Sequence, residues 1–497
     1  MARWLICMKE YILAFDQSTQ GTKAMLFDEN ALPIIRIDRA HKQYVNDQGW
    51  VEHNPDEIWN NVVFLTKHII EKSNIDPASI RAIGISNQRE TAVAWDRETG
   101  LPVYPAIVWQ CARAKDICEE PSIKGHADSI LYKTGLKLSP FFSAAKFSWI
   151  LRNIPEAREK ALSGNLCFGT VDSWLAFKMT KGKVFRTDYS NASRTQLFNI
   201  RQLQWDEDIL RLFDIPLSCM PTVTDSDGDF GETDIDGILP VSVPVCGVMG
   251  DSHAALFGQG CLQPGMAKVT YGTGSSIMMQ TGSELLSSVG GLVTSIAWKR
   301  QNQVNFVLEG NVNYTGAIIS WLKNDVMLLD NAAQSEELAK RANPEDRTCL
   351  VPAFSGLGAP WWANDARAAF IGISRTTGRN ELVKAALESI AYQISDIVEQ
   401  MKIDMKTDSI ILRADGGPTS NRWLMQFQSD ILGCPIQIAE REELSCIGAA
   451  YMAGISCGFY NDNVLSAFSH MPIMPDKDVV WQKEHLDNWH NAIKRVL

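Results

Sequence analysis

At 497 residues, 45% hydrophobic and 21% charged, the chain has the size and apolar content of a globular protein with two or more domains. A net charge of −11 argues against nucleic acid or an anionic membrane surface as a partner, but not against a phosphorylated ligand whose charge Mg2+ and local basic residues can meet. The eleven cysteines, scattered from Cys7 to Cys457 without a C-x-x-C pair, read as reduced thiols of a cytoplasmic protein with no zinc site. The short apolar run near the start is interrupted by Lys9 and Glu10, so neither a signal peptide nor a membrane span is expected, and Met8 is a candidate start.

Tyr11 to Asp28 reads as a β-hairpin: an apolar run from Ile12 to Phe15 closes on Asp16, and Lys23 to Asp28 turns apolar again. The turn between them, Gln17 to Thr22, offers hydroxyls, backbone donors and a neighbouring lysine, which suits a polyphosphate. Asp16 at the strand end suits Mg2+, directly or through water. Taken alone, the stretch reads at least as well as an ordinary turn. Asp56 to Ser73 has helical apolar spacing behind Asn54-Pro55. Ile80 to Ser86 is a strand that runs into Asn87-Gln88-Arg89-Glu90-Thr91, and charged clusters at strand exits are where open α/β sheets bind ligands. A surface ion pair is the plain alternative. Trp109, after the apolar segment from Val103, reads as core or as the wall of a small-ligand pocket.

Phe141 to Asn153 predicts an amphipathic helix, and Leu162 to Met179 a buried helix or strand. Val241 to Gly250 predicts a strand closing on Asp251-Ser252-His253 and a small-residue helix, where Asp251 reads as an N-cap or as a catalytic carboxylate. Val269 to Gln280 repeats the hairpin with Gly272 to Ser276 as its turn, Val304 to Gly310 is a further strand, and Ile410 to Ala414 leads through Asp415-Gly416-Gly417 to a helix over 421–432. The recurrence predicts two related domains, 9–257 and 258–497, each presenting turn amides to phosphate and each contributing a carboxylate.

With DQSTQGT, ISNQRETAVAWDRETG, AIVWQCARA, TDYSNASRTQLFNI, GDSHAALFGQ, TYGTGSS, VPAFSGLGAPWW and DGGPTSNRWLMQFQSDILG in this order, nearly the whole chain resembles the FGGY carbohydrate kinases, and within them the glycerol kinases. Phe141 to Asn153 and Ala368 to Glu388 resemble the two family signatures. The resemblance implies an α/β fold of two ribonuclease-H-like (actin/Hsp70/sugar kinase) domains with a nucleotide cleft between them. It also implies ATP and Mg2+, a small polyol or sugar as acceptor, and a possible homodimer or homotetramer.

By the same resemblance, Asp251 matches the general base, and Asp16, with Asp251 sharing the duty, matches the Mg2+-associated carboxylate. Arg89, Glu90 and Trp109 match the polyol-binding residues. Thr19, Thr22 and Lys23 match the first phosphate hairpin, although Gln20-Gly21 replaces Thr-Ser and Lys23 replaces an Arg, losing its planar fork. Gly272 and Thr273 match the second phosphate turn; Gly316, Gly417 and Asn421 match nucleotide contacts, with Ser320 in place of a Gln.

The acceptor pocket departs from the glycerol-kinase pattern. Phe141 stands for a Tyr, Ser252 and His253 for two Gln, and Ser276 for a Phe. Smaller side chains and a missing hydroxyl predict an acceptor longer than glycerol, a four- to six-carbon polyol or ketose. The alternatives are an unregulated glycerol kinase, a xylulose- or ribulose-type kinase, and a non-catalytic nucleotide-binding relative. The stretch Glu232 to Gly237 is acidic where enteric glycerol kinases carry a basic loop for fructose 1,6-bisphosphate, which predicts no such inhibition.

Overall fold

Alternation along Tyr11–Gln17 (β1) sends Leu13 and Phe15 to one face of a sheet and Ile12, Ala14 and Asp16 to the other, and both faces are covered. The computed structural model describes residues 9–466 and 469–497, so Cys7 and the candidate start at Met8 lie outside the described residues. β1 pairs antiparallel with Gly21–Phe27 (β2), which pairs antiparallel with Pro33–Ala40 (β3). Pro55–Ser73 (α1) follows, its N-cap Asn54 accepting from the amides of Asp56 and Glu57 and its C-cap Asn74 left-handed. Its apolar stripe, Ile58, Val62, Leu65 and Ile69, packs on β2 and β3 within the core that also holds Leu13 and Phe15. Ile80–Asn87 (β4) and Val243–Gly250 (β5) run parallel to β1 and to each other in a six-stranded sheet ordered Glu232–Thr233, β5, β4, β1, β2, β3. Between β4 and β5 in sequence lies Ser143–Asn153 (α2), and after β5 comes Asp251–Gly258 (α3).

The chain forms two compact units, each with its own core. Unit 1 runs to Gly260 and takes in Ser295–Phe306 and the stretch from Glu443. Unit 2 contains Cys261–Thr294, Val307–Glu442 and the residues from 469 onward. A single sequence boundary at 257/258 has no means of registering these returns. The second return brings the helix Leu444–Ser456 against β1, β4, β5 and α3. Contact there is backbone to backbone: a Cβ on Gly448 would stand 1.9 Å from the Ala254 carbonyl oxygen.

Unit 2 repeats the hairpin. Met266–Tyr271 (β6) pairs antiparallel with Ser275–Gly282 (β7), and the sheet continues with Val293–Arg300 (β8) and Gln303–Val312 (β9), along which the chain passes into unit 1 and back. Gly316–Asn324 (α4) and the 27-residue Arg379–Met405 (α5) follow. Ile411–Asp415 (β10) lies parallel to β6, then come Arg422–Leu432 (α6), Ile436–Ala439 (β11), His470–Ile473 (β12) and Val479–Ile493 (α7). The helix expected from residue 141 begins at Ser143, and the segment 162–179 divides into a strand, Leu166–Gly169, and a helix, Val171–Met179.

Candidate active site

The register of the parallel strands gathers the polar residues of unit 1. Gln17, Asn87 and Gly250 are direct neighbours across β1, β4 and β5, so Asp16, the Asn87-Gln88-Arg89-Glu90 run and Asp251 emerge at one carboxyl edge. Asp251 is the first residue of α3, with Gly250 as the N-cap, so the expected capping role falls to its neighbour. Its Oδ1 accepts from the Ser252 amide at 2.6 Å and pairs with Arg89 Nε at 3.2 Å. A side chain on Gly250 is ruled out by the Arg89 stem, whose Cγ would lie 2.6 Å from the added Cβ. The Gly250 amide donates to Ser190 Oγ, and Ser190 Oγ donates to buried Asp188. Asn191 closes this support through a two-way amide pair with Asn87.

Asp16 is 5% exposed and accepts from Ser86 Oγ at 2.7 Å. Burial pushes its pKa up to about 6, against the pull of Lys23 and the Ser86 hydroxyl. Lys23 faces it across the ladder, Nζ to Oδ2 3.9 Å, and also binds Glu443. Burial pulls the Lys23 ammonium down, but Asp16 and Glu443 together hold it above the usual lysine value. Because the ladder continues to Gln17↔Thr22, the turn is tighter than expected, Ser18 to Gln20, and Thr22 is a fully buried strand residue. Thr19 remains in the turn, where its hydroxyl accepts from Trp109 Nε1 at 2.9 Å.

Arg89 and Glu90 are both buried, 4.0 Å apart from Nε to Oε1. The second cation on Glu90, Arg194 at 2.5 Å, lies 104 residues away in the TDYSNASRTQL segment, which carries part of the resemblance but no sign of its pairing with Glu90. Trp109 is half-buried and meets Phe141 edge-on at 5.4 Å, so these two rings form an apolar wall. Lys146, fully buried in α2, donates to the carbonyls of Pro140, Phe141 and Phe142 and so fixes the loop that carries Phe141. Burial brings its pKa down to about 7. Ser252 is half-buried beside Asp251, and His253 is buried with Nε2 3.2 Å from Ser295 Oγ.

In unit 2, Gly272 and Thr273 form an exposed turn whose carbonyls receive the first amides of α4: Gly316 to Gly272, Ala317 to Thr273. Ser276 lies just past the turn on β7, opposite Thr270, and Ser320 is exposed on α4. Gly416 has φ of +100° and passes so close to Tyr271 that a Cβ would sit 2.0 Å from its carbonyl oxygen. Gly417 opens a single 3-10 turn, and Asn421 caps α6 by accepting from the Leu424 amide at 2.9 Å.

Residues 11–258 match the N-terminal domain, and residues 267–457 the C-terminal domain, of the FGGY family of carbohydrate kinases. The chain belongs to this family. It is 47% identical over 498 residues to a glycerol kinase of Thermoanaerobacter pseudethanolicus, covering 99% of each. A crystal structure of Plasmodium falciparum glycerol kinase with ADP matches with a TM-score of 0.94 at 36% identity, covering 99% of both chains. A ligand-bound xylulose kinase from Lactobacillus acidophilus matches with a TM-score of 0.88, 98% coverage of both chains and 19% identity, a likeness of fold alone. Family membership gives a two-domain sugar-kinase fold of the actin/Hsp70 type. It also gives phosphoryl transfer to an alcohol acceptor, with ATP as donor and Mg2+ as its metal. None of these relatives supports an acceptor larger than glycerol. Among the described residues no helix is long and apolar enough to cross a membrane.

Proposed function

We propose that this cytoplasmic kinase transfers the γ-phosphoryl group of MgATP to a terminal hydroxyl of a small polyol, with glycerol as the first acceptor. The observation that carries the reading is the placement of Asp251: a carboxylate about one-third exposed at the strand edge, held at 3.2 Å by Arg89 and seated on a backbone amide fixed by Ser190. Arg89, Glu90 and Trp109 hold the acceptor, with Phe141 and Ser252 beside it. Asp251 takes the proton of the attacking hydroxyl as the new P–O bond forms and the bond to the ADP oxygen breaks. In unit 1 the proposed nucleotide contacts are Thr19 and Lys23, with Thr22 in the ladder that supports them. In unit 2 they are Gly272, Thr273, Gly316, Ser320, Gly417 and Asn421.

Among the described residues no three metal-ligating side chains converge, and the pair Asp16 and Asp251 fits an ion that takes one or two carboxylates and completes its shell with phosphate and water. These two would hold Mg2+, which, when bound, neutralises charge on the transferring phosphoryl group.

A second reading has its own support. Phe141 offers a ring and no hydroxyl, and Ser252 and Ser276 are short. These favour a four- to six-carbon polyol or ketose. The test is ATP-dependent ADP release across glycerol, erythritol, pentitols, hexitols and three- to six-carbon ketoses, with Asp251→Asn alongside. The highest kcat/KM on glycerol is expected. A longer polyol in first place moves the assignment to the second reading, and a pentulose in first place makes the chain a pentulose kinase. Undiminished turnover in Asp251→Asn removes Asp251 as the base.

A further inference from the structure

Lys23 is not alone at the first hairpin. One carboxylate oxygen of Glu443 takes its ammonium, and the other takes Arg36 Nη1 at 2.8 Å. Arg36 in turn rests on Asp38 at 3.0 Å. Lys23, Arg36 and Asp38 lie on one face of β2 and β3, the face toward the Leu444–Ser456 helix. Asp16 attracts the same ammonium from 3.9 Å on the other side. Glu443 itself is 14% exposed by side chain and sits in the left-handed region, φ 61° and ψ 41°, at the N-cap of that helix. Glycine or asparagine is at ease in that conformation; a long acidic residue is strained there. Its side chain does not cap the helix.

We propose that Glu443 is a positioning residue for nucleotide binding, fixing the Lys23 ammonium over the turn so that it meets phosphate without first being ordered. The proposal rests on the reading of Lys23 as a phosphate contact. A lysine is a point charge on a flexible stem, and ordering it is a cost that each binding event otherwise carries. Of its three N–H donors, Glu443 holds one and Asp16 draws a second, which leaves one for a phosphate oxygen. Arg36 anchors Glu443 in the same way, so the order of the ammonium derives from β3 and from a residue 420 positions away.

The variants Glu443→Gly and Glu443→Gln separate this role from a structural one. Both variants lose the pairs with Lys23 and Arg36, but only glycine also relieves the left-handed strain, so E443G should melt above E443Q. Both variants should raise the KM for MgATP and the Kd for ADP by about tenfold, the scale of one lost charge-assisted hydrogen bond, while the acceptor KM stays within about twofold. In a Lys23→Met background, E443G should add nothing further. A MgATP KM raised in K23M but unchanged or lowered in E443G and E443Q overturns the proposal. A MgATP KM unchanged in K23M overturns instead the reading of Lys23 on which it rests.

Discussion

The two hairpins share a frame and differ in where the charge sits. In unit 1 the next-to-last residue of the first strand is Asp16, opposite Lys23 on β2 and beside Ser86 on the parallel neighbour. In unit 2 the corresponding place holds Thr270, opposite Ser276, and the carboxylate has moved one strand over to Asp415, which accepts from Thr270 Oγ1 at 2.7 Å. The frame fixes where a side chain emerges, and the residue placed there fixes what it can do. Unit 1 gathers ionisable side chains at its strand edge; unit 2 presents a turn of backbone amides and carbonyls with close glycine contacts.

The largest test of this contrast is Asp251→Asn, which keeps the shape of unit 1 and removes the proposed base. A fall in kcat of about 10²–10⁴-fold is expected in single-turnover and steady-state assays, with unit 2 untouched. The counterpart in unit 2 is Gly416→Ala, a change of backbone freedom with no change of charge. With φ at +100° and Tyr271 in the way, it should cost about 1–3 kcal/mol or more in urea or thermal unfolding.

Buried charge also predicts a pH signature for unit 1. Lys146 titrates near 7 in the folded chain, against 10.5 for a free lysine, so between those values the unfolded chain binds more protons. Stability from this group should therefore rise with pH across that window, and the penalty should be complete below about 7. Lys146→Met should flatten the rise in melts taken from pH 7 to 10. The smallest expected effect is at the Trp109–Phe141 wall. Phe141→Tyr adds one hydroxyl to the proposed acceptor wall and should improve kcat/KM on glycerol by roughly two- to twelvefold, the worth of one net hydrogen bond. No change on any acceptor would mean that Phe141 does not face the substrate.

Much of this was legible in the sequence, because it is written in short runs. The hairpins, the strand exits at Asn87 and Gly250, and the helix from Pro55 each follow from periodicity and a cap within about twenty residues. The turn at Ser18 to Gln20 came out shorter than its polar composition suggested, since a ladder can carry Thr22 into a buried strand when its neighbours pair. What no local pattern carries is the partner of a buried charge. Arg194 reaches Glu90 across 104 residues and Glu443 reaches Lys23 across 420, and nothing near either end announces the other. The helix Leu444–Ser456 is apolar and small-residue-rich, which marks it as buried without saying against which sheet.

That helix has a consequence for the order of synthesis. Gly84, Gly247 and Gly258 of the first 260 residues each stand within van der Waals reach of its backbone, so the sheet of unit 1 has a bare face until residues 444–456 arrive. A ribosome adding about 5–20 residues per second needs on the order of ten to forty seconds to travel from Gly260 to Ser456. During that interval β1, β4 and β5 expose their narrow, glycine-lined surface while unit 2 is being made. The nascent first half is thus an incomplete unit until residues 444–456 close its sheet.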